Sequence, residues 1–414
     1  MKKIKSSQVI MMAIIFLTLY SCNKNADKAV APPSQSPASL EVMINEEGAN
    51  PDEIAIAAST SLNRSSSDAL QRHSESSGHF VYTEGNTAGT NHILSYRIMS
   101  DGTLHYESAT ASGGAGAGSG LGSQGAVVID NNHEWLYAVN AGSNSVSTFK
   151  IHNDGSLTLA HTENSHGTTP VSVSVHGDLL YVLNFGSDNI HGFRIGAGGT
   201  LSHITGSTQA LSGTGVAAPQ ISFNPNGHWL IVTEKATNNI SSFKVKSDGS
   251  AGHDVVTAST GATPFGFEFA RENLMIVSNA AGGAAGAGSA TSYKIKGDGV
   301  PDAVNGAVAN YQAAPCWVAI TQHGRFAFVT NTASNSISSY YVAPWGGLYL
   351  VHQAAASTGN APLDIVVAKN NYNVYEVNGK SGTIGEYHRT RMGGLEYIGA
   401  VSGLPASVTG LATY

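Results

Sequence analysis

The chain is 414 residues long, with 12% charged residues, 48 glycines and a formal net charge of −7. Its weak acidic charge gives no electrostatic footprint for nucleic acid, and its recurring apolar runs exclude a disordered chain. Two cysteines, Cys22 and Cys316, provide no disulfide framework, and no long 3.6-period segment argues for helical repeats.

Residues 1–22 have the pattern of an export signal. Lys2, Lys3 and Lys5 form a basic start and Val9–Leu19 an apolar core that is too short for a comfortable membrane span. Leu19-Tyr20-Ser21-Cys22 resembles the bacterial lipobox, in which cleavage frees a cysteine for acylation. The expectation is an exported protein held by lipid on Cys22 to the bacterial envelope, at the outer membrane, without a span. A plain secretory signal with an incidental cysteine is the alternative. Residues 23–78, rich in Ser, Ala, Pro and Asn, read as a flexible tether, although Pro51-Asp52-Glu53 could open a short helix. Without the three lysines of the signal, 18 basic residues face 28 acidic ones.

Residues 79–414 form the folded unit, and they repeat. Leu180–Leu201 reads LYVLNFGSDNIHGFRIGAGGTL: two β-like runs around Asn, Gly, Ser and Asp, then a Gly-Gly turn toward a third. Related stretches begin near Phe80, Tyr137, Ile231, Met275, Phe328 and Val374, which makes seven. The first run of each ends at Glu84, Asn140, Asn184, Glu234, Asn279, Asn331 or Asn378, and the spacings are 56, 44, 50, 45, 52 and 47. Short strands repeating near every fifty residues predict an all-β, seven-bladed β-propeller of four-stranded antiparallel blades. A further apolar run precedes most anchors, usually after proline, and is assigned as the inner strand lining the channel. The first copy lacks one, and the chain ends in LPASVTGLATY. Ala406–Ala412 is therefore expected to complete the first blade and close the ring, so that truncation at Leu404 costs far more than eleven tail residues suggest.

On its repeat, its blade number, the Pro225-Asn226-Gly227 turn before a Trp229–Val232 run, and its SNxIxxF and DGxL runs, the chain resembles the lactonase-type seven-bladed propellers. That family groups 6-phosphogluconolactonase-like and carboxymuconate-cyclising enzymes. The resemblance implies a small sugar-acid lactone or muconate-type substrate at the channel mouth. It also implies a His just after an inner-strand proline, with Arg and Glu nearby. Here that place is taken by Val171, Gln220, Phe265, Cys316, Leu363 and Ala406. The alternative is a non-catalytic envelope propeller that binds a carbohydrate, peptide or protein partner.

Five of the seven anchors are Asn, a residue that closes turns, so function is sought where the repeat breaks. Glu234 and Lys235 are the candidate catalytic pair, the first as base or sugar ligand, the second as a cation for a carboxylate or phosphate. Gln220, His166, Glu84, Trp317 and Asp364 are candidate substrate-binding residues. The bland reading of Glu234 and Lys235 is a surface ion pair. Cys316 reads as a buried structural thiol. The sixteen His residues show no HxH or HExxH spacing and no CxxC occurs, so no metal site and no cofactor are expected. The glycine runs 113–122 and 280–288 read as mobile loops on the mouth face. The protein is expected to be monomeric.

Overall fold

The computed structural model describes residues 79–414. The expected signal at residues 1–22, with Cys22, and the expected tether at residues 23–78 lie outside these residues. The described chain forms seven antiparallel sheets, each running from an inner to an outer strand, with only short 3₁₀ turns as helical structure. The second strands end at the seven anchors: Phe80–Glu84, Trp135–Asn140, Leu179–Asn184, Trp229–Glu234, Leu274–Asn279, Phe326–Asn331 and Asn373–Asn378. The inner strands of blades two to seven are Val127–Ile129, Pro170–His176, Gln220–Phe223, Pro264–Arg271, Pro315–Ile320 and Pro362–Val367.

The ring closes through the C-terminus. Thr409–Thr413 pairs antiparallel with Phe80–Glu84, three residues later than the sequence pattern had placed the start of that strand. The hydroxyl of Thr83 donates to the Gly410 carbonyl (2.6 Å) and that of Ser407 to the Gly85 carbonyl (2.7 Å), fixing both ends of the seam.

The DG and GG turns have a reason beyond hairpin geometry. Gly102, Gly155, Gly199, Gly249, Gly299, Gly346 and Gly393 all have positive φ, between 76° and 100°, and each turns a third strand into an outer one. Each also faces the first residue of the preceding blade's second strand. A side chain at Gly155 would overlap the Phe80 ring, one at Gly199 the Trp135 indole, and one at Gly299 the Trp229 indole. Tyr82, Tyr181 and Tyr375 reinforce the same junctions by donating their phenol protons to the carbonyls of Gly155, Gly249 and Gly102 (2.9, 2.7 and 2.8 Å). The repeat thus encodes the blade-to-blade contact as well as the blade.

Blade three is irregular. Its outer strand is split into Leu201–His203 and Gln209–Ala210, both paired with the third strand Asn189–Ile195. Across the break the Ser207 hydroxyl bonds the backbone N–H and carbonyl of Gly192, substituting for strand hydrogen bonds (3.0 and 3.1 Å).

Candidate functional site: the channel and its strapped mouth

The inner strands of all seven blades surround an axial cavity of about 350 Å³. An inner strand presents an unpaired backbone edge, and these edges are closed by side chains from the preceding blade. Ser172 and Ser174 hydroxyls accept the N–H groups of Ile221 and Phe223 (3.2 and 2.9 Å). The Gln220 amide accepts the N–H of Phe267 (2.7 Å) and donates to its carbonyl (2.9 Å). A carboxylate oxygen of Glu268 accepts from Ile320 N–H (2.8 Å), and one of Asp364 from Gly410 N–H (2.9 Å).

The mouth is crossed by the segment leading into blade two. Ser123 donates its hydroxyl proton to the Val171 carbonyl (2.8 Å), and the Gln124 N–H bonds the Pro219 carbonyl (3.0 Å). The Gln124 side chain reaches across the ring to Val318, accepting from its N–H (3.1 Å) and donating to its carbonyl (2.8 Å). It occupies the space left by Gly266, where a Cβ would collide with the Gln124 amide. The glycine run before this strap, read as a mobile loop, is packed in part, while residues 117–120 are exposed. Gly116 and Gly118 N–H groups bond the Thr87 and Asn86 carbonyls (3.0 and 2.9 Å), and a Cβ on Gly116 would overlap Asn86 backbone.

The structure gives the candidate residues different surroundings. Glu234 is fully buried, with its carboxylate bonded by the hydroxyls of Ser212, Thr237 (2.7 Å) and Ser241 (2.8 Å). Ser241, seven residues on, matches Ser147 and Ser338, which receive the amide protons of Asn140 and Asn331 in blades two and six (2.8 and 2.9 Å). Glu234 therefore does the anchor's work with the donor and acceptor roles exchanged. It does not pair with Lys235, whose ammonium donates to the Gly122 carbonyl of the strap (3.1 Å) and lies 4.5 Å from the centre of the Phe265 ring. Burial lowers the Lys235 pKa to about 8, with the nearby Cys316 thiol opposing. Trp317 is buried and donates its indole N–H to the Ser123 carbonyl (2.7 Å), so it holds the strap. Cys316 is buried, and burial pushes its thiol up to about 11.

Gln220 and Asp364 line the cavity, whereas Glu84 lies beside it, fully buried and accepting from the Asn91 amide (2.7 Å). Burial, with the Asp364 charge adding, keeps the Glu84 carboxyl well above the usual range. Burial raises Asp364 to about 7, against opposing backbone hydrogen bonds from Gly410 and Gly125. His166 stands on the outer part of blade three, its ring stacked on His191 at 4.2 Å.

Glu268 was missed by the sequence reading. It lines the cavity, is solvent-accessible there, and is raised to about 7 by burial in the channel wall. Its counterparts in the strand register are Val128, Ser174, Ser222, Ala319 and Val366. Comparing the blades at this position, two residues beyond the one held by Gln220, Gly266, Trp317 and Asp364, would have exposed it. The channel thus holds two carboxyls that titrate near neutrality, one of them open to water.

Residues 72–218 match the family model described as "Lactonase, 7-bladed beta-propeller". A Bacteroides uniformis protein provisionally described as a 6-phosphogluconolactonase superposes with a TM-score of 0.67 at 18% identity, over 81% of this chain and 99% of that one. The Pseudomonas aeruginosa periplasmic gluconolactonase PpgL superposes with a TM-score of 0.62 at 15% identity, over 80% of this chain and 98% of that one. No match among curated proteins accompanies them. At such identities the superpositions speak for the fold. The matched segment is similar to that family over about a third of the chain, and the ring of seven blades is the fold that the family's description names.

Proposed function

We propose that the protein hydrolyses a small sugar-acid lactone in the axial channel, with Glu268 as the general base. The observation that carries this reading is the Glu268 carboxyl, poised near 7 in a water-accessible channel. One of its oxygens is held by Ile320 N–H. The carboxylate takes a proton from water as that water's oxygen attacks the lactone carbonyl. The ring oxygen then leaves and takes the proton back, giving the hydroxy acid. Asp364, on the same channel wall, fills the complementary role of an acid that stays partly protonated at neutral pH. Lys235 gives the mouth a cation for an anionic substrate, as on a phosphorylated sugar acid. The names of the Bacteroides and Pseudomonas proteins agree with this class of chemistry.

The test is a panel of gluconic-type lactones, with and without phosphate, followed by proton release above the spontaneous rate. Activity should rise with pH through about 7 as Glu268 ionises. Glu268→Gln should lower kcat by roughly 10²–10⁴ while substrate still binds. A protein that binds these lactones without turning any over would instead support the non-catalytic reading. We also propose, from residues 1–22, that the reaction takes place in the cell envelope on a lipid-anchored protein. Labelled palmitate should enter the wild type and not Cys22→Ala.

A further inference from the structure

Blade three carries a cluster that no local sequence motif announces. His166 comes from the loop before the inner strand, His191 from the third strand and His203 from the first half of the split outer strand. One ring nitrogen of each lies within 4.8 Å of the others. His191 is fully buried, and the other two are exposed. Its Nδ1 lies 2.7 Å from the Thr208 hydroxyl, inside the break of the outer strand. That contact turns Nε2 toward Nδ1 of His203, 2.9 Å away. The His166 ring stacks over both, with centroids 4.2 Å from His191 and 5.0 Å from His203. Phe193 forms an apolar wall, 4.8 Å from His191 and 5.9 Å from His166. Burial, and then the two neighbouring imidazoles, lower His191 to about 3, so its ring is neutral at neutral pH.

We propose that His166, His191 and His203 bind a borderline divalent metal ion of the Zn²⁺, Cu²⁺ or Ni²⁺ class on the rim of blade three. Neutral imidazoles suit these ions, and three of them leave a fourth tetrahedral position for water or an external donor. The Thr208 contact is the outer hydrogen bond that a metal-binding imidazole needs to hold its tautomer and aim its free nitrogen. Binding requires little rearrangement. The imidazole hydrogen bond opens by a few tenths of an ångström, since ligands at about 2.0–2.1 Å from zinc sit slightly further apart than 2.9 Å. The two rings give up the hydrogen bond they share, so that the nitrogen each turns toward the other is free for the ion, and exposed His166 rotates to present a nitrogen. The split outer strand thereby acquires a purpose: an unbroken strand would not place His203 and Thr208 on either side of His191. The cluster uses the third and outer strands and no inner strand, so it stands apart from the channel reading.

The experiment uses the full chain without an affinity tag, titrated with Zn²⁺ by calorimetry and with Co²⁺ by visible absorption. One ion per chain should bind, with the intense bands of tetrahedral Co²⁺. His166→Ala removes an exposed loop side chain and should melt like the wild type while its affinity falls at least about tenfold. His203→Ala should do the same, and His161→Ala, at a histidine outside the cluster, should change nothing. The proposal is overturned if the wild type binds no ion at about 1 mM, or if His166→Ala with His203→Ala binds as tightly as the wild type.

Discussion

Blades three and four both break the repeat, and the two breaks end differently. In blade four a charged residue, Glu234, replaces the common Asn, but Ser212, Thr237 and Ser241 close around it and leave no oxygen for a ligand. In blade three the anchor Asn184 is ordinary, and the departure lies in the outer strand, where five residues, Ile204–Thr208, leave the ladder. That break gathers three imidazoles, with a ring nitrogen of each within 4.8 Å of the others. A changed residue inside an intact scaffold is absorbed by its neighbours, because buried polar groups must find partners. A changed backbone creates surroundings that the repeat does not contain.

The comparison can be broken most sharply at Glu234. Glu234→Ala strands the buried Ser241 hydroxyl and removes the bonds to the less buried Ser212 and Thr237, and should cost roughly 1–3 kcal/mol in urea unfolding, a structural penalty. A loss below about 1 kcal/mol, or lost turnover in a fully stable variant, would return the residue to catalysis. A pH series extends the contrast to the channel. The Asp364 carboxyl is raised from 3.8 to about 7 in the folded chain, so between those values the folded state binds more protons than the unfolded one. Its contribution is complete below 3.8 and is lost as pH rises through about 7, on the order of a few kcal/mol. The melting temperature of Asp364→Asn should therefore gain on the wild type across that window, and a constant difference would contradict the shift. Ser207→Ala tests the break in blade three: losing both hydrogen bonds to Gly192 should cost about 1–3 kcal/mol. At the small end, His166→Ala should change stability by no more than about 0.5 kcal/mol, as expected of an exposed side chain. A larger loss would mean that the histidine stack holds blade three together.

Much of the candidate channel was legible in the chain. Inner strands, anchors and proline starts identify what lines the axis, and Gln220 and Asp364 were singled out there as departures. Their partners were not legible, because Gln220 bonds Phe267 and Asp364 bonds Gly410, each in the next blade. Glu268 escaped because it lies further along its inner strand than the position compared. Lys235 was recognised as a cation, but its contact with Gly122 crosses more than a hundred residues.

The sequence by itself determined the blade count, the seven anchors, the inner strands and the closure of the ring by the C-terminus. Those features rest on local chemistry repeated seven times: alternation for strands, glycine for left-handed turns, proline at strand starts. Only the tertiary structure decided which polar residues face the channel, that Ser123 and Gln124 strap its mouth, and that His166, His191 and His203 meet. Each of these depends on contacts between segments distant in the chain, fixed by ring closure and by one split strand, and no spacing along the sequence records such distances.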